Sequence, residues 1–168
     1  GTILRTARAI GIAGIPILGI NFGRLGFLAN SSKDGVVAIV SAALAGDVVV
    51  EKRTNLRIAV VCEGEADPWG DDAIGTVPVG GPAACGISGF PPTKGARSFF
   101  ALNEAAITRG ANGRIIDFAL DISGAHIAHM RGDGLVVSTA TGSTAYALSA
   151  GGPLVSPGFQ GLVAVPLA

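Results

Sequence analysis

Arg131-Gly132-Asp133-Gly134-Leu135-Val136-Val137-Ser138-Thr139 runs without a break into Ala140-Thr141-Gly142-Ser143-Thr144-Ala145-Tyr146-Ala147-Leu148-Ser149-Ala150-Gly151-Gly152-Pro153. Gly134 to Thr139 reads as a short apolar strand, and the hydroxyl-rich turn beyond it opens a short helix. Small side chains let a ligand approach the backbone, and free N–H groups at a helix start favour an anion. Thr141, Ser143 and Thr144 add hydroxyls, while Tyr146 offers a ring face and a phenol to a planar, polar partner. This chemistry points to a nucleotide or phosphate site. The same letters also suit an ordinary N-capped helix after a strand.

Towards the N-terminus the pattern is different. Residues 3–12 carry apolar positions at helical spacing (Ile3, Leu4, Ala7, Ile10), with Thr2 placed as N-cap and Gly11 and Gly14 as terminators. Residues 15–20 form an apolar run suited to a buried parallel strand. A glycine-punctuated turn follows, and residues 34–45 read as a second helix closed by Gly46. Helix, strand, loop, helix is the rhythm of an α/β layer. After Asp47 come β-rich stretches at 48–50, 56–62, 98–108, 115–122 and 134–139, with no long helical pattern before Thr141. Strands in succession imply an antiparallel, all-β region. The expected division is therefore a partial α/β domain over 1–47 and a β-rich, nucleotide-binding domain over 48–168. Residues 63–97 are rich in glycine and proline with little periodicity, and are expected to be an exposed, flexible insertion.

Composition narrows the function classes. Of 168 residues, 14% are charged and formal net charge is +0, so the basic surplus of a general nucleic-acid binder is missing. No apolar run reaches the ~18 residues of a membrane span. Cys62 and Cys85 match no zinc or redox spacing. No charged leader precedes an apolar stretch, and the chain does not begin with methionine, so an upstream segment is expected and a cytoplasmic location is the default. His126 and His129 should point to opposite faces of a strand and hold no metal, and Asp117 and Asp121 read as solvated positions on one strand face. The P-loop pattern, the Gly-x-Gly-x-x-Gly turn and the Gly-x-Ser-x-Gly elbow are all absent.

The 131–153 segment resembles the signature of NAD kinases, and three further segments match that family in order. Gly1-Thr2 with Ile3-Leu4-Arg5 resembles the end of the family's Gly-Gly-Asp-Gly-Thr motif and the helix after it. Gly19-Ile20-Asn21-Phe22-Gly23-Arg24-Leu25-Gly26-Phe27-Leu28 resembles the next strand and loop, and Ala101-Leu102-Asn103-Glu104 resembles the Asn-Glu motif. The resemblance implies transfer of a phosphoryl group from ATP or polyphosphate to the adenosine 2′-hydroxyl of NAD, giving NADP. It implies an α/β N-terminal part, here an incomplete Rossmann-like layer, joined to an all-β C-terminal domain. Mg²⁺ or another divalent ion travelling with the donor, and a homo-oligomer (dimer or tetramer), belong to the same expectation. Nucleic acid and membrane are not expected as partners.

Carried over position by position, the resemblance makes Gly1, Arg5, Phe27, Leu28, Asn103, Glu104, Arg114, Arg131, Asp133, Thr144, Ala145, Tyr146, Ala147, Leu148, Ser149 and Ala168 contacts for NAD. Gly1 and Thr2 would be the remnant of the phosphate loop. A carboxylate beside an amide can accept from ribose hydroxyls or adenine N–H groups. The arginines suit phosphate or carboxylate geometry, or else make surface ion pairs. Asp133 could equally cap its own turn. Ala140 stands where the family usually has proline. The family's general-base aspartate is expected just upstream of Gly1, which leaves no catalytic residue in this stretch and suggests a chain truncated at both ends. A non-catalytic nucleotide-binding module is the alternative. Diacylglycerol-type lipid kinases share a glycine-aspartate loop, but the Asn-Glu and Thr-Gly-Ser-Thr-Ala-Tyr combination is not expected of them.

Two outcomes are expected from sequence alone. Limited proteolysis should cut first between Asp67 and Lys94, and cleavage elsewhere with that stretch intact would refute the insertion reading. Residues 1–168 expressed alone should form NADP at least ~10²-fold more slowly than the full-length product, the usual cost of losing a general base. Turnover within about tenfold would show the upstream aspartate to be dispensable.

Overall fold

The computed structural model describes residues 2–10, 13–22, 28–31, 35–61, 97–111 and 113–168. The chain divides into two compact units, Gly1–Lys52 and Arg53–Ala168. The 63–96 part of the expected insertion lies outside the described residues, as do Gly1, Phe27, Cys62 and Cys85.

The first unit is a small α/β assembly. Helix α1 (Thr2–Ile10) buries Ala7 on its inner face. Thr2 lies inside the helix and not at its cap, with its carbonyl accepting from the Thr6 hydroxyl at 3.1 Å. Strands β1 (Ile20–Asn21) and β2 (Asn30–Ser31) pair in parallel. Of the expected buried strand only Ile20 joins this ladder, and Ile15, Ile17 and Leu18 are exposed. A strand buried on both faces needs neighbours on both sides, and the described residues supply one, over two residues. Helix α2 (Val36–Ala45) ends at Gly46, whose φ of 78° and N–H donation to the Ala42 and Ala43 carbonyls close it as a left-handed cap. Val48, Val49 and Val50 are exposed and lie in no strand.

The second unit is antiparallel throughout. Strand β3 (Leu56–Val60) pairs with β4 (Arg97–Ala101), with Leu56 opposite Ala101. A three-stranded sheet has the order β5 (Glu104–Thr108), β8 (Gly134–Thr139), β9 (Leu162–Leu167). Strands β6 (Ile116–Ile122) and β7 (Ala125–Gly132) form a hairpin. The 98–108 stretch is thus two strands, β4 and β5, broken at Leu102-Asn103. β7 and β9 lie outside the stretches that sequence pattern marks as β-rich.

β8 is the centre of this unit. It is paired on both edges, and Leu135, Val136, Ser138 and Thr139 are buried. Val136 packs with Val165 of β9 and Ala147 from the helix beyond the turn, with Ala150, Val163 and Leu167 around them. Burying such side chains contributes roughly 1.5–3 kcal/mol each. That is enough to hold one end of the polar turn in place.

The hairpin corrects one expectation. A bulge between Leu120 and Asp121 pairs Asp121 with His126 and leaves Ile127 out of the ladder. The alternation therefore skips one residue, and His126 and His129 share the exposed face that carries Asp117 and Asp121. His126 Nδ1 lies 3.0 Å from Asp121 Oδ1. Among the described residues no group of three or more His, Cys, Asp or Glu could hold a metal ion.

Candidate functional site

The break between β4 and β5 places Asn103 and Glu104 where β8 leaves the sheet. Glu104 lies opposite Ser138. The Asn103 carbonyl accepts the Thr139 N–H at 2.8 Å, and the Ser138 hydroxyl reaches the same oxygen at 3.3 Å. The chain then enters a 3₁₀ turn (Gly142–Thr144) and a four-residue helix α3 (Tyr146–Ser149). A Cβ on Gly142 would collide with the Asn103 carbonyl oxygen and stand 2.6 Å from Ser138 Oγ. Only glycine lets the loop pass this close.

Three N–H groups of the loop have partners within it. Gly142 donates to Thr139 Oγ1 at 3.1 Å, Ser143 to the Ala140 carbonyl at 3.3 Å, and Ala145 to the Gly142 carbonyl at 2.8 Å. The Tyr146 backbone N–H faces the Glu104 carboxylate and favours its charged form. Ser143 Oγ donates to the Ala140 carbonyl at 2.8 Å and accepts the Val155 N–H at 3.2 Å. Thr144 Oγ1 donates to the Thr141 carbonyl at 3.3 Å. The Gly142, Ser143 and Ala145 N–H groups are therefore already taken where an anion is expected at a helix start. These donors are spent on the loop's own geometry, and α3 is a single turn.

What remains unsatisfied is a set of side-chain atoms. Asn103 Oδ1, Glu104 Oε2 and Thr141 Oγ1 are buried without a hydrogen-bond partner. They sit on two backbone segments that touch at Asn103 and Gly142. Buried polar atoms normally find partners, and leaving one unpaired costs roughly 1–3 kcal/mol. Two of the three are acceptors, so the arrangement suits a ligand edge that presents hydroxyls or amines. Burial pushes the Glu104 carboxyl above its usual value, and the Tyr146 N–H offsets part of that rise.

Comparisons with known proteins agree on what this architecture is. The family model described as the ATP-NAD kinase N-terminal domain matches residues 1–48, and the ATP-NAD kinase C-terminal domain matches residues 102–168. The NAD kinase of Methylibium petroleiphilum is 36% identical over 170 residues, covering 100% of this chain and 48% of the relative. That of Gemmatimonas aurantiaca is 37% identical over 167 residues, covering 99% of the chain and 48% of the relative. The chain belongs to the NAD kinase family. It spans about half the length of the curated relatives it matches. An NAD kinase from Archaeoglobus fulgidus, solved in complex with ATP, superposes with a TM-score of 0.58 at 28% identity, over 91% of this chain and 47% of that one. Yeast NADH kinase, solved with NADH, superposes with a TM-score of 0.74 over 99% of this chain and 41% of that one. At 23% identity it speaks for the fold.

Within this NAD kinase fold the residues expected to contact NAD fall into separate places. Asn103, Glu104, Thr144, Ala145, Tyr146, Leu148 and Ser149 gather where β8 ends, with the Tyr146 side chain exposed. Ala147 belongs to the same turn, but its methyl is 0% exposed and packs on Val136 and Val165, so its side chain serves the core. Arg131, Asp133 and Ala168 lie at the other end of the sheet, where Gly134 pairs with Leu167. The two ends are separated by the length of β8, about 17 Å at the usual strand rise. Asp133 is braced there: its N–H donates to the Leu167 carbonyl, its carbonyl accepts the Arg109 N–H, and its carboxylate meets Arg109 Nε at 3.2 Å. Arg131 lies 3.9 Å from Asp117 across the hairpin. Arg114 is exposed just before β6. Thr2, Arg5 and Leu28 belong to the first unit. Gly1 and Phe27 are outside the described residues.

Sequence reasoning missed Thr139, Gly142 and Arg109 as parts of this architecture. For the first two a signal exists: a hydroxyl three residues before a glycine is the spacing of a side chain that caps a turn.

The raised Glu104 carboxyl has a measurable consequence. Its folded-state value lies above the unfolded one, so the folded state loses stability as pH rises through the folded value, and loses nothing below about 4.5. Glu104→Gln keeps an acceptor for the Tyr146 N–H and cannot ionise. Without nucleotide, the variant should melt above the wild type at pH 7 and coincide with it at pH 4. Thermal melts across that range would check this, and a variant less stable than wild type at pH 7 would contradict it.

Proposed function

We propose that the protein carrying this chain is an NAD kinase that phosphorylates the 2′-hydroxyl of the adenosine ribose of NAD to give NADP, with ATP or polyphosphate as donor. One observation carries the reading at this site: Asn103 Oδ1 and Glu104 Oε2 are buried acceptors without partners, beside a loop whose Gly142, Ser143 and Ala145 N–H groups are spent. Such a site favours ribose hydroxyls, an adenine amine or a carboxamide over phosphate oxygens. NAD presents all three kinds of donor. Thr141 Oγ1 can add a donor or an acceptor, and the exposed Tyr146 ring offers a face for a base to stack on.

On this reading the chain's own residues bind and orient. Gly142 lets the loop press against Asn103, Glu104 fixes a hydroxyl or amine, and the sheet holds both rigidly. A divalent ion accompanying the donor would neutralise phosphate charge. The described residues offer it no cluster of ligands, so no step here is assigned to it. A homo-oligomer, dimer or tetramer, fits the separation of the expected contacts. A second copy could bring its Arg131, Asp133 and Ala168 to a nucleotide held at Asn103 and Glu104. A cytoplasmic location goes with this reading. Among the described residues no helix is long and apolar enough to cross a membrane.

The direct test is to assay the full-length protein with NAD and with ATP or polyphosphate, following NADP. NAD binding without NADP would favour a non-catalytic nucleotide-binding module. Asn103→Ala and Glu104→Ala should each weaken NAD binding by about threefold to tenfold, equivalent to a lost hydrogen bond of ~0.5–1.5 kcal/mol, and by more if a charge is stranded. Unchanged affinity in a folded double variant would remove both residues from the site.

A further inference from the structure

Thr139 is 0% exposed, and its side chain joins two segments that sequence keeps far apart. Its hydroxyl donates to the Leu102 carbonyl at 2.6 Å and accepts the Gly142 N–H at 3.1 Å. Its own N–H holds the Asn103 carbonyl at 2.8 Å. Leu102 and Asn103 form the break before β5, and Gly142 opens the 3₁₀ turn. One buried hydroxyl therefore stands between the turn that presents Asn103 and Glu104 and the loop that presents Thr141 and Tyr146. Valine fills nearly the same volume but offers neither bond, and would leave the Leu102 carbonyl and the Gly142 N–H unpaired in a buried place.

We propose that Thr139 is a positioning residue for nucleotide binding, a clip that fixes Asn103 and Glu104 relative to the 141–146 loop without touching the ligand. The proposal rests on the reading of Asn103 and Glu104 as nucleotide contacts. It explains why three buried polar atoms can stay unpaired: the clip stops the two segments from shifting until those atoms satisfy one another. The clip acts on where the acceptors stand and not on the transfer step. Its loss therefore shows in nucleotide affinity first.

The experiment compares full-length wild type, Thr139→Val and Thr139→Ser. Steady-state kinetics with NAD and ATP are read beside amide hydrogen exchange without nucleotide. Thr139→Val is expected to raise KM for NAD about tenfold, on the scale of two lost hydrogen bonds, with kcat and KM for ATP within about twofold on the same scale. Thr139→Ser, which keeps the oxygen, is expected to restore the wild-type KM. The Gly142 amide is expected to exchange as slowly in wild type as the paired amides of β8, and at least about tenfold faster in Thr139→Val on that hydrogen-bond scale. An unchanged KM for NAD in Thr139→Val, or a fall in kcat with KM unchanged, overturns the proposal, because a merely structural hydroxyl would only reduce the amount of folded enzyme. If Thr139→Val does not fold, wild type and Thr139→Ser decide: fast exchange at Gly142 in wild type overturns the clip, and slow exchange in both with an unaltered KM supports it. A wild type that neither binds NAD nor forms NADP overturns the functional reading and this proposal together. An active wild type with an indifferent Thr139→Val overturns this proposal alone.

Discussion

A carbonyl inside a tight, half-buried turn has to find a donor, and the Asn103 carbonyl finds the Thr139 N–H at 2.8 Å. Much of the second unit is arranged around that bond. It ends the β5–β8 ladder at Glu104 and Ser138, so the two side chains after the break emerge at the mouth of the sheet and not along its face. It brings the Asn103 carbonyl oxygen to where Gly142 has no Cβ, which makes room for the loop that follows β8. The loop then turns back on itself, and α3 sends Ala147 into the core against Val136 and Val165. Packing below and hydrogen bonding above hold the same few residues.

The site divides its labour between backbone and side chains. The backbone donors of Gly142, Ser143 and Ala145 are consumed in holding shape, and side-chain acceptors on Asn103 and Glu104 are left unpaired. Each unpaired buried atom costs roughly 1–3 kcal/mol, and the buried β8 core offsets that cost. A Glu104 carboxyl raised by burial is the electrostatic face of the same strain. A ligand that donates to these atoms would relieve it, which is how a rigid site converts stored instability into affinity.

Legibility in the sequence followed the kind of signal each element carries. Helix α2 could be read because an apolar, alanine-rich run ends in a glycine, and Gly46 in its left-handed cap is what closes it. The change from α/β to antiparallel strands could be read from the loss of helical spacing after Asp47. Residues 15–20 misled because a short apolar run has no period to test, and burial depends on neighbours that the run does not encode. The break at Leu102-Asn103 was hidden because no glycine or proline marks it. A tertiary bond to Thr139 makes that turn. The residue types of the site were visible before the structure, but their polarity was not. Thr-Gly-Ser-Thr reads as a place for phosphate until the Gly142 and Ser143 N–H groups are followed to their partners.

The two ends of β8 differ in how firmly they hold their carboxylates. Glu104 is desolvated and lies beside the Tyr146 backbone N–H. The Asp133 carboxylate meets Arg109 in an ion pair whose side chains are 39% and 42% exposed. Pairs of that kind contribute about 0–1 kcal/mol, although the Asp133 backbone is fixed on both sides by Leu167 and Arg109. The main chain at this end is therefore rigid while the carboxylate is free to exchange partners at small cost. On the proposed reading, a ligand at Glu104 would meet a preformed acceptor. A donor approaching Asp133 would have only to displace a solvent-screened guanidinium. The sheet thus carries a desolvated carboxylate at one end and a solvent-exposed, ion-paired one at the other, about 17 Å apart at the usual strand rise.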